Sequence, residues 1–326
     1  MNDITTAEST LVLPDTHTLY TKTWHPSPSS STAKTKARLV WLHGFSDHCN
    51  WYDELFRRFA AKGIRVYSFD QRGWGRSVHK PAQRGLTGDT AAVMADIAAF
   101  VRSVIEEGGG IGNGQSGGRA PLFLGGHSMG GGEALTFLAT GPKELVERIR
   151  GVVLESPFLA QPPATRASAV TVQLGRLASR LMPARQMVQK LDKRYMSRDQ
   201  DVCDAWEKDE LCHDTGTLEG LKGLLERGAD LVEGRVVVKD GLGEGGKTRL
   251  WVGHGTADGL ADLGAVRTWF EGLRVEDKEM VVYEGWYHKL HSEPGEDKVR
   301  FAEEVARWIL DRCVNSRPAS QDRPKL

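Results

Sequence analysis

The sequence predicts an α/β protein with a mostly parallel central sheet, helices on both faces of that sheet and an inserted helical cap. Three observations predict it. Short apolar runs alternate with amphipathic stretches along most of the 326 residues, turn-forming residues separate the two kinds of segment, and the alternation stops once before it resumes. Strands that are linked through helices form right-handed crossovers, which build a parallel sheet covered on both faces.

The chain is expected to begin with a β-hairpin. Thr10–Leu13 and Leu19–Trp24 alternate in polarity around the turn-forming run Pro14–His17, a pattern typical of two paired strands. Gly63 stands where a helix end favours glycine, and Gly108–Gly118 is expected to be a flexible insertion. The other elements predicted in this half are a loop at 25–37, strands at 38–42, 64–69, 122–125 and 151–154, and helices at 53–62, 89–107 and 131–139.

The alternation stops at about Phe158. From there to about Asp230 the chain has helical spacing, many charges, several prolines and no recognisable strand, which favours a cap above the carboxyl edge of the sheet. A loop is then predicted at 231–248, strands at 249–252 and 280–283, and a last helix at 296–312. The predicted organisation is a core at 1–157 and 231–314, a cap or lid at 158–230, and a disordered tail at 315–326.

Composition excludes several classes of function. Lysine plus arginine and aspartate plus glutamate number 43 each, so no overall field attracts nucleic acid or anionic lipid. The glycines follow neither the Rossmann nor the P-loop pattern, and we expect no cofactor. Four widely spaced cysteines argue against a disulfide framework and a metal site, and suit a reducing compartment. Cys212-His213 is a possible pair of metal ligands, but no second pair accompanies it.

The two ends of the chain predict a cytoplasmic protein. The N-terminal segment lacks the basic start and apolar stretch of a secretory signal, and no window approaches the roughly 18 apolar residues that span a bilayer. The final Pro-Lys-Leu loosely resembles a peroxisomal address, in which a small residue normally precedes the lysine. A disordered tail explains these residues more simply.

Gly126–Gly130 has the pattern G-x-S-x-G, between a predicted apolar strand and a predicted helix. In this motif the serine occupies a strained turn, and side chains two residues before or after it would collide with the neighbouring strand and helix. Ser128 is therefore the candidate nucleophile. Its place at a helix N-terminus provides N–H groups and a dipole that stabilise an oxyanion. A glycine-rich turn with an idle serine is the alternative.

A carboxylate and then a histidine are expected after the nucleophile. Asp258 ends the turn that follows strand 249–252 and is the candidate acid, with a helix N-cap as its alternative role. His288 follows the last predicted strand and a glycine-aromatic turn, so we expect it to be the base. His291 is its rival, and His254 precedes the acid and is expected to be structural.

An oxyanion hole needs a second backbone donor from the loop after an early strand. Gly44 follows strand 38–42 and would allow a close approach of the backbone. We therefore expect the N–H of Phe45 to pair with the N–H of Met129. A tight turn that packs beneath the sheet is the alternative.

Seven short motifs carry a family resemblance. They are Leu19–Trp24, His43–His48, Phe69–Ser77, Gly126–Gly130, Glu155–Pro157, His254–Asp258 and Gly285–His291. In this order they resemble the monoacylglycerol lipase and lysophospholipase branch of the α/β-hydrolases, in a fungal or microbial form. The resemblance covers most of the chain and implies that Ser128, Asp258 and His288 form a catalytic triad.

The resemblance also implies substrate-binding residues. Asp47 falls on an acidic position near the polar end of the family's pocket and His291 on the family's second histidine, so both are expected near a glycerol head group. Trp51 is assigned to the same pocket, where family members often carry a basic residue. Segment 158–230 matches the lid, whose apolar face admits the acyl chain and touches membranes or lipid droplets.

The expected function is hydrolysis of monoacylglycerols to fatty acid and glycerol through an acyl-enzyme. Because one triad serves many acyl substrates, a carboxylesterase, lysophospholipase or thioesterase is the first alternative. A cofactor-free haloperoxidase or C–C hydrolase also uses such a triad. A non-catalytic protein that binds hydrophobic ligands on the same fold is the remaining alternative.

Overall fold

A computed structural model describes residues 4–26, 35–107, 120–166 and 168–313. The strands in these residues are β1 (Thr5–Val12), β2 (Thr18–His25), β3 (Ala37–Leu42), β4 (Ile64–Phe69), β5 (Leu122–His127), β6 (Ile149–Glu155), β7 (Gln186–Val188), β8 (Thr215–Thr217), β9 (Arg249–Gly255) and β10 (Asp277–Tyr283). Eight of them form one sheet in the order β1-β2-β4-β3-β5-β6-β9-β10. Strand β2 pairs antiparallel with β1 and β4, and the other neighbours are parallel.

Helices cover both faces of this sheet. They are α1 (Asp53–Ala61), α2 (Thr90–Glu107), α3 (Met129–Thr140), α4 (Lys143–Val146), α5 (Ala169–Leu181), α6 (Gln200–Lys208), α7 (Leu218–Val232), α8 (Leu263–Gly272) and α9 (Asp297–Asp311). Helices α1 and α9 share one hydrophobic cluster, and α2, α3 and α8 share the other. Strand β3 contributes alternately, with Leu39 in the first cluster and Val40 in the second, as side chains of a strand must. The α/β prediction is confirmed.

The early elements are where the sequence pattern predicts them. The hairpin has Leu11 opposite Leu19, and both of its strands are longer than predicted. Strand β4 coincides with the predicted 64–69. Helix α1 ends just before Gly63, whose φ of 93° lies in the region that only glycine adopts without strain.

The predicted cap departs from its prediction in one respect. Strands β7 and β8 pair antiparallel within it, although no strand was expected there. Each strand has three residues, too few for a period of two to be recognised.

Helix α8, which lies after the cap, was not predicted either. Gly108–Gly118, the tail at 315–326 and most of the loop at 25–37 lie outside the described residues.

The parallel strands bring their carboxyl ends to one edge of the sheet. The loops after β3, β5, β6, β9 and β10 therefore meet there, at the place where open α/β sheets bind ligands. Each motif with candidate chemistry lies in one of these loops. Among the described helices, none is long and apolar enough to cross a membrane.

Candidate active site

Ser128 lies on a strained turn between β5 and α3. Its φ and ψ are 53° and −117°, a conformation that costs energy in a residue with a Cβ and that occurs at functional sites. A Cβ on Gly126 would lie 2.3 Å from the carbonyl oxygen of Gly130, and a Cβ on Gly130 would lie 2.3 Å from that of Leu42. Both contacts are far closer than van der Waals distance, so the predicted need for glycine two residues before and after the serine is confirmed.

The loop after β3 lies directly against this turn. A Cβ on Gly44 would be 3.3 Å from Ser128 Cβ and 3.0 Å from His127 Nδ1. The N–H groups of Phe45 and Met129 donate no hydrogen bond to any residue that the structure describes. Met129 is also the first residue of α3, so its N–H shares the positive end of the helix dipole. Two backbone donors without a described partner therefore belong to the residues that follow Gly44 and Ser128.

Asp258 and His288 form a buried pair at the same edge. Asp258 Oδ2 lies 2.7 Å from His288 Nδ1, and the side chains are 0% and 4% exposed. Burial by itself would raise the pKa of Asp258, but the neighbouring His288 and hydrogen bonds from His254 and His288 outweigh it and hold the pKa well below its usual range. Asp258 is therefore ionised and accepts the Nδ1 proton, which leaves His288 Nε2 to accept one.

Asp258 itself is fixed by backbone and side-chain donors. Its Oδ1 accepts the N–H groups of Leu260 and Ala261 at 2.8 and 3.0 Å. His254 Nε2 lies 3.2 Å from Oδ2, so this histidine, which was expected to be structural, buttresses the carboxylate. The N-cap of the following helix is Asp262, and the alternative role proposed for Asp258 is therefore filled by another residue.

The predicted cap holds the histidine loop by its backbone. The N–H of His288 donates to the carbonyl of Tyr195 at 3.0 Å, and the N–H of Lys289 donates to that of Met196 at 2.7 Å. The Tyr195 ring covers Gly259, where a Cβ would meet the ring at 2.4 Å. One short stretch of the cap thus supports the loops of both Asp258 and His288.

His291 lies in a different environment from His288. Its backbone N–H and its Nδ1 lie 2.9 and 2.7 Å from Glu155 Oε1, and its ring centroid is 4.5 Å from that of Tyr52. Of the two rival histidines, only His288 is paired with Asp258 among the described contacts. His291 is 4% exposed, so the expected contact with a head group would require its surroundings to open.

Asp47 is also buried and already bonded. At 1% exposure, its Oδ2 accepts the Tyr52 hydroxyl at 2.8 Å and Lys289 Nζ at 2.7 Å. Burial would raise the pKa of Asp47, but the Lys289 ammonium outweighs it and the pKa is lowered. The geometry therefore does not favour the direct head-group contact that the resemblance implies for this residue.

Trp51 is partly exposed and lies over the same ion pair. Lys289 Nζ is 5.1 Å from the centroid of the Trp51 ring, within cation–π range. The indole N–H donates to Asp209 Oδ2 at 3.0 Å. Lys289 was not predicted to be a functional residue, because the burial of one lysine in a loop produces no periodic pattern in the sequence. Its position directly after His288 was the only available signal.

His48, Asp209 and Cys212 bring three possible metal-ligand atoms within 4.8 Å of one another. However, Asp209 Oδ2 already lies 2.9 Å from His48 Nε2 and accepts the Trp51 indole N–H, and Asp209 Oδ1 accepts the N–H of Leu211 at 2.9 Å. These contacts use both oxygens of Asp209 and Nε2 of His48, and they join the cap to the loop after β3.

A cavity of about 750 Å³ lies between α5 and α7. Its lining is mostly charged and includes Arg176, Arg180, Glu226 and Asp230, and none of Ser128, Asp258 or His288. This lining does not suit an acyl chain, because charged walls lose hydration without gaining a partner. The cavity is therefore separate from the chemistry.

Comparison with known proteins identifies the family of this chain. A model of the Hydrolase_4 family, described as serine aminopeptidase, S33, matches residues 33–295. A protein of Schizosaccharomyces pombe is 30% identical over 299 residues, which cover 91% of this chain and 72% of that protein. The monoglyceride lipase of Mus musculus is 29% identical over 305 residues, 93% of this chain and 90% of the mouse protein.

The fold is similar to solved structures as well. A soluble variant of the Saccharomyces cerevisiae monoglyceride lipase, solved with a substrate analogue, superposes with a TM-score of 0.78 at 22% identity over 90% of this chain and 92% of the yeast chain. At this identity the likeness shows the fold. From the family match and the relatives together, the chain belongs to the Hydrolase_4 family of α/β-hydrolases, in the branch that contains the monoglyceride lipases.

Proposed function

We propose that the protein hydrolyses monoacylglycerols to fatty acid and glycerol, with Ser128 as nucleophile, His288 as general base and Asp258 as the acid that orients it. One observation carries the proposal. A serine held at a φ of 53° on a strand-to-helix turn shares a sheet edge with a buried His288–Asp258 pair. The substrate class is supported by the mouse relative, which is named a monoglyceride lipase.

In the proposed acylation step, His288 Nε2 takes the hydroxyl proton of Ser128 as Oγ attacks the ester carbonyl. The oxyanion that forms accepts the N–H groups of Phe45 and Met129, which have no other described partner. His288 then protonates the departing glycerol oxygen, and the acyl group stays on Ser128. Asp258 stabilises the imidazolium through the 2.7 Å contact with Nδ1.

Deacylation repeats these roles with water. His288 removes a proton from the water as its oxygen attacks the acyl carbonyl, and the same two N–H groups bind the oxyanion. The C–O bond to Ser128 breaks, His288 returns the proton to Oγ, and the fatty acid leaves. Apart from the ester and the water, every group named in these steps belongs to a residue of this chain.

Segment 158–230 is proposed to be the lid. This segment contacts the loop after β3, where the Trp206 indole N–H donates to the carbonyl of Ser46 at 3.1 Å. It also contacts the loop after β10, where the carbonyl of Tyr195 accepts the N–H of His288 at 3.0 Å. The core is proposed to be 1–157 and 231–314. We propose that a substrate enters beneath this lid rather than through the charged cavity between α5 and α7.

The outer face of α5 is proposed to contact lipid surfaces. Val170, Leu174, Leu177 and Leu181 are spaced by four, three and four residues and are 70%, 63%, 55% and 75% exposed, so they form one unpartnered apolar stripe. From 157 to 191 the sequence has five basic residues and no acidic one. An apolar stripe with basic neighbours fits an anionic membrane or lipid-droplet surface, to which a cytoplasmic enzyme would bind without spanning it.

A different acyl ester is the second candidate substrate. Trp51 is partly exposed and covers the buried Lys289 ammonium, with a ring-to-ammonium distance of 5.1 Å. Family members often carry a basic residue at the position of Trp51. Because this chain has an indole there, a lysophospholipid or a simple carboxylic ester is a specific alternative substrate. Thioester hydrolysis and ligand binding without turnover have no comparable observation in their favour.

The test compares substrates on wild type and Ser128→Ala. Turnover of 1- and 2-monooleoylglycerol is measured beside di- and trioleoylglycerol, lysophosphatidylcholine and a short p-nitrophenyl ester. We expect a preference for the monoglycerides that depends on Ser128, together with labelling of Ser128 by a fluorophosphonate. Ser128-dependent cleavage of the short ester alone would keep the mechanism and discard the substrate. Unchanged turnover by Ser128→Ala would discard both.

A further inference from the structure

Lys289 is a fully buried cation that the proposed mechanism does not use. The residue is 1% exposed, and its Nζ lies 2.7 Å from Asp47 Oδ2. The rings of Trp51 and Tyr52 cover the ammonium at 5.1 and 5.7 Å. Removing both charges from water is expensive, and such a pair persists only when its geometry is well satisfied.

The ion pair continues into a hydrogen-bonded chain. The Tyr52 hydroxyl donates to Asp47 Oδ2 at 2.8 Å and accepts the N–H of Gly44 at 3.3 Å. The same hydroxyl lies 2.9 Å from His127 Nδ1. Because the Tyr52 proton goes to Asp47 and burial lowers the pKa of His127, the neutral His127 ring donates its Nδ1 proton to the Tyr52 oxygen.

This chain of contacts joins the three loops that carry the chemistry. Asp47 lies two residues after Phe45, Lys289 directly follows His288, and His127 directly precedes Ser128. These loops follow three different strands, β3, β10 and β5. Contacts between the loops are therefore needed to fix their positions relative to one another. An error of about 1 Å between reacting groups can cost about 10²-fold in rate.

We propose that the Lys289–Asp47 ion pair, with Tyr52, positions the oxyanion loop against the His288 loop. Lys289 and Asp47 are positioning residues and do not touch substrate. Both partners of the pair are buried, Asp47 Oδ1 accepts the N–H of His48 at 3.0 Å, and two rings separate the ammonium from solvent. The inference rests on the proposed triad and reassigns Asp47 from head-group binding to the support of the site.

The test uses Lys289→Met, Asp47→Asn and the double variant on the full chain. Methionine keeps the apolar stem against the Trp51 and Tyr52 rings, and each single change leaves one buried charge unpaired. We expect kcat on monooleoylglycerol to fall about 10²-fold in each single variant with KM changed less than about threefold. The double variant leaves neither charge unpaired, and its kcat should recover about tenfold from the single variants.

A merely structural pair would lower the melting temperature without this split between kcat and KM. Lys62→Met is the matched control, because it removes a surface ion pair between Lys62 and Glu303; its kcat should equal that of wild type. If the single variants do not fold, Tyr52→Phe removes only the bridging hydroxyl, and its kcat should fall about tenfold with KM unchanged.

Wild-type kcat in Lys289→Met, or in Tyr52→Phe if that is the variant that folds, overturns the inference. A raised KM at normal kcat also overturns it, since that result makes Lys289 a substrate contact. The proposed function fails by a different result, unchanged turnover in Ser128→Ala. The two failures are therefore distinguishable in one set of assays.

Discussion

The catalytic edge of the sheet and the outer face of α5 are constructed in opposite ways. At the edge, Asp258, His288 and Lys289 are each at most 4% exposed by side chain, and each is bonded to at least one other loop. On α5, no apolar side chain that the structure describes is buried, and Leu181 is 75% exposed. The edge holds reacting groups still, whereas the α5 face leaves apolar surface available to a lipid phase.

Helix α7 lies between these extremes and anchors the predicted cap. Its Arg227 forms a buried ion pair with Glu133 of α3 at 3.0 Å. A Cβ on Gly228 would lie 2.3 Å from the carbonyl oxygen of Leu159, so α7 packs directly on the chain that leaves β6. One helix of the cap is thus fixed to the core and its neighbour presents its apolar face outward.

The largest expected effect is a loss of turnover at the catalytic edge with no change in lipid binding by α5. Ser128→Ala should lower kcat by on the order of 10⁶-fold while binding to anionic vesicles stays at the wild-type level. Turnover and vesicle sedimentation measure the two properties on one sample. Ser156→Ala is the matched control, because Ser156 is also a buried serine with positive φ, 43°. A comparable loss of turnover in Ser156→Ala would contradict the assignment of Ser128.

The second-largest expected effect tests the buried ion pair between Arg227 of α7 and Glu133 of α3. Arg227→Met leaves Glu133 buried without its partner and should lower the free energy of unfolding by about 3 kcal/mol, as measured by urea denaturation. Lys222→Met on the same helix removes a partly exposed pair with Glu226 at 3.6 Å and should change the free energy of unfolding by less than about 0.5 kcal/mol. Equal effects of the two changes would show that α7 is not anchored through Arg227.

The same ion pair should make the free energy of unfolding depend on pH, through the Glu133 carboxyl. Burial raises the pKa of Glu133 to about 7, against the attraction of Arg227. Because the pKa is higher in the folded state than in the unfolded chain, the stability that protonated Glu133 contributes is present at low pH and is lost as pH rises through about 7. Glu133→Gln should therefore lose less stability than wild type between pH 5 and pH 8, measured by urea denaturation at both values.

The smallest expected effect concerns α5. The double change Leu174→Ser and Leu177→Ser removes two side chains from the apolar stripe and should weaken binding to phosphatidylserine-containing vesicles about tenfold. Turnover of vesicle-borne monooleoylglycerol should fall with it, and turnover of a short soluble ester should not. Val12→Ser, at an exposed site on β1, is the control. Loss of soluble-ester turnover in the α5 variant would contradict a purely lipid-binding face.

The sequence by itself determined the alternation of strands and helices, because side-chain periodicity is a local property of the chain. Strand β4 and the spacing of Gly126, Ser128 and Gly130 are examples. The order of Ser128, Asp258 and His288 along the chain was also readable, since each follows a recognisable strand. Three-residue strands such as β7 and β8 carry too little pattern to be recognised.

Only the tertiary structure decided which groups meet. Lys289 and Asp47 are 242 residues apart in sequence, and Arg227 and Glu133 are 94 apart, so no local pattern reports either pair. The difference between His288 and His291 also appears only in space, where one contacts Asp258 and the other Glu155. Burial of a charge is a property of everything that packs around it, and that becomes defined only when distant segments have folded together.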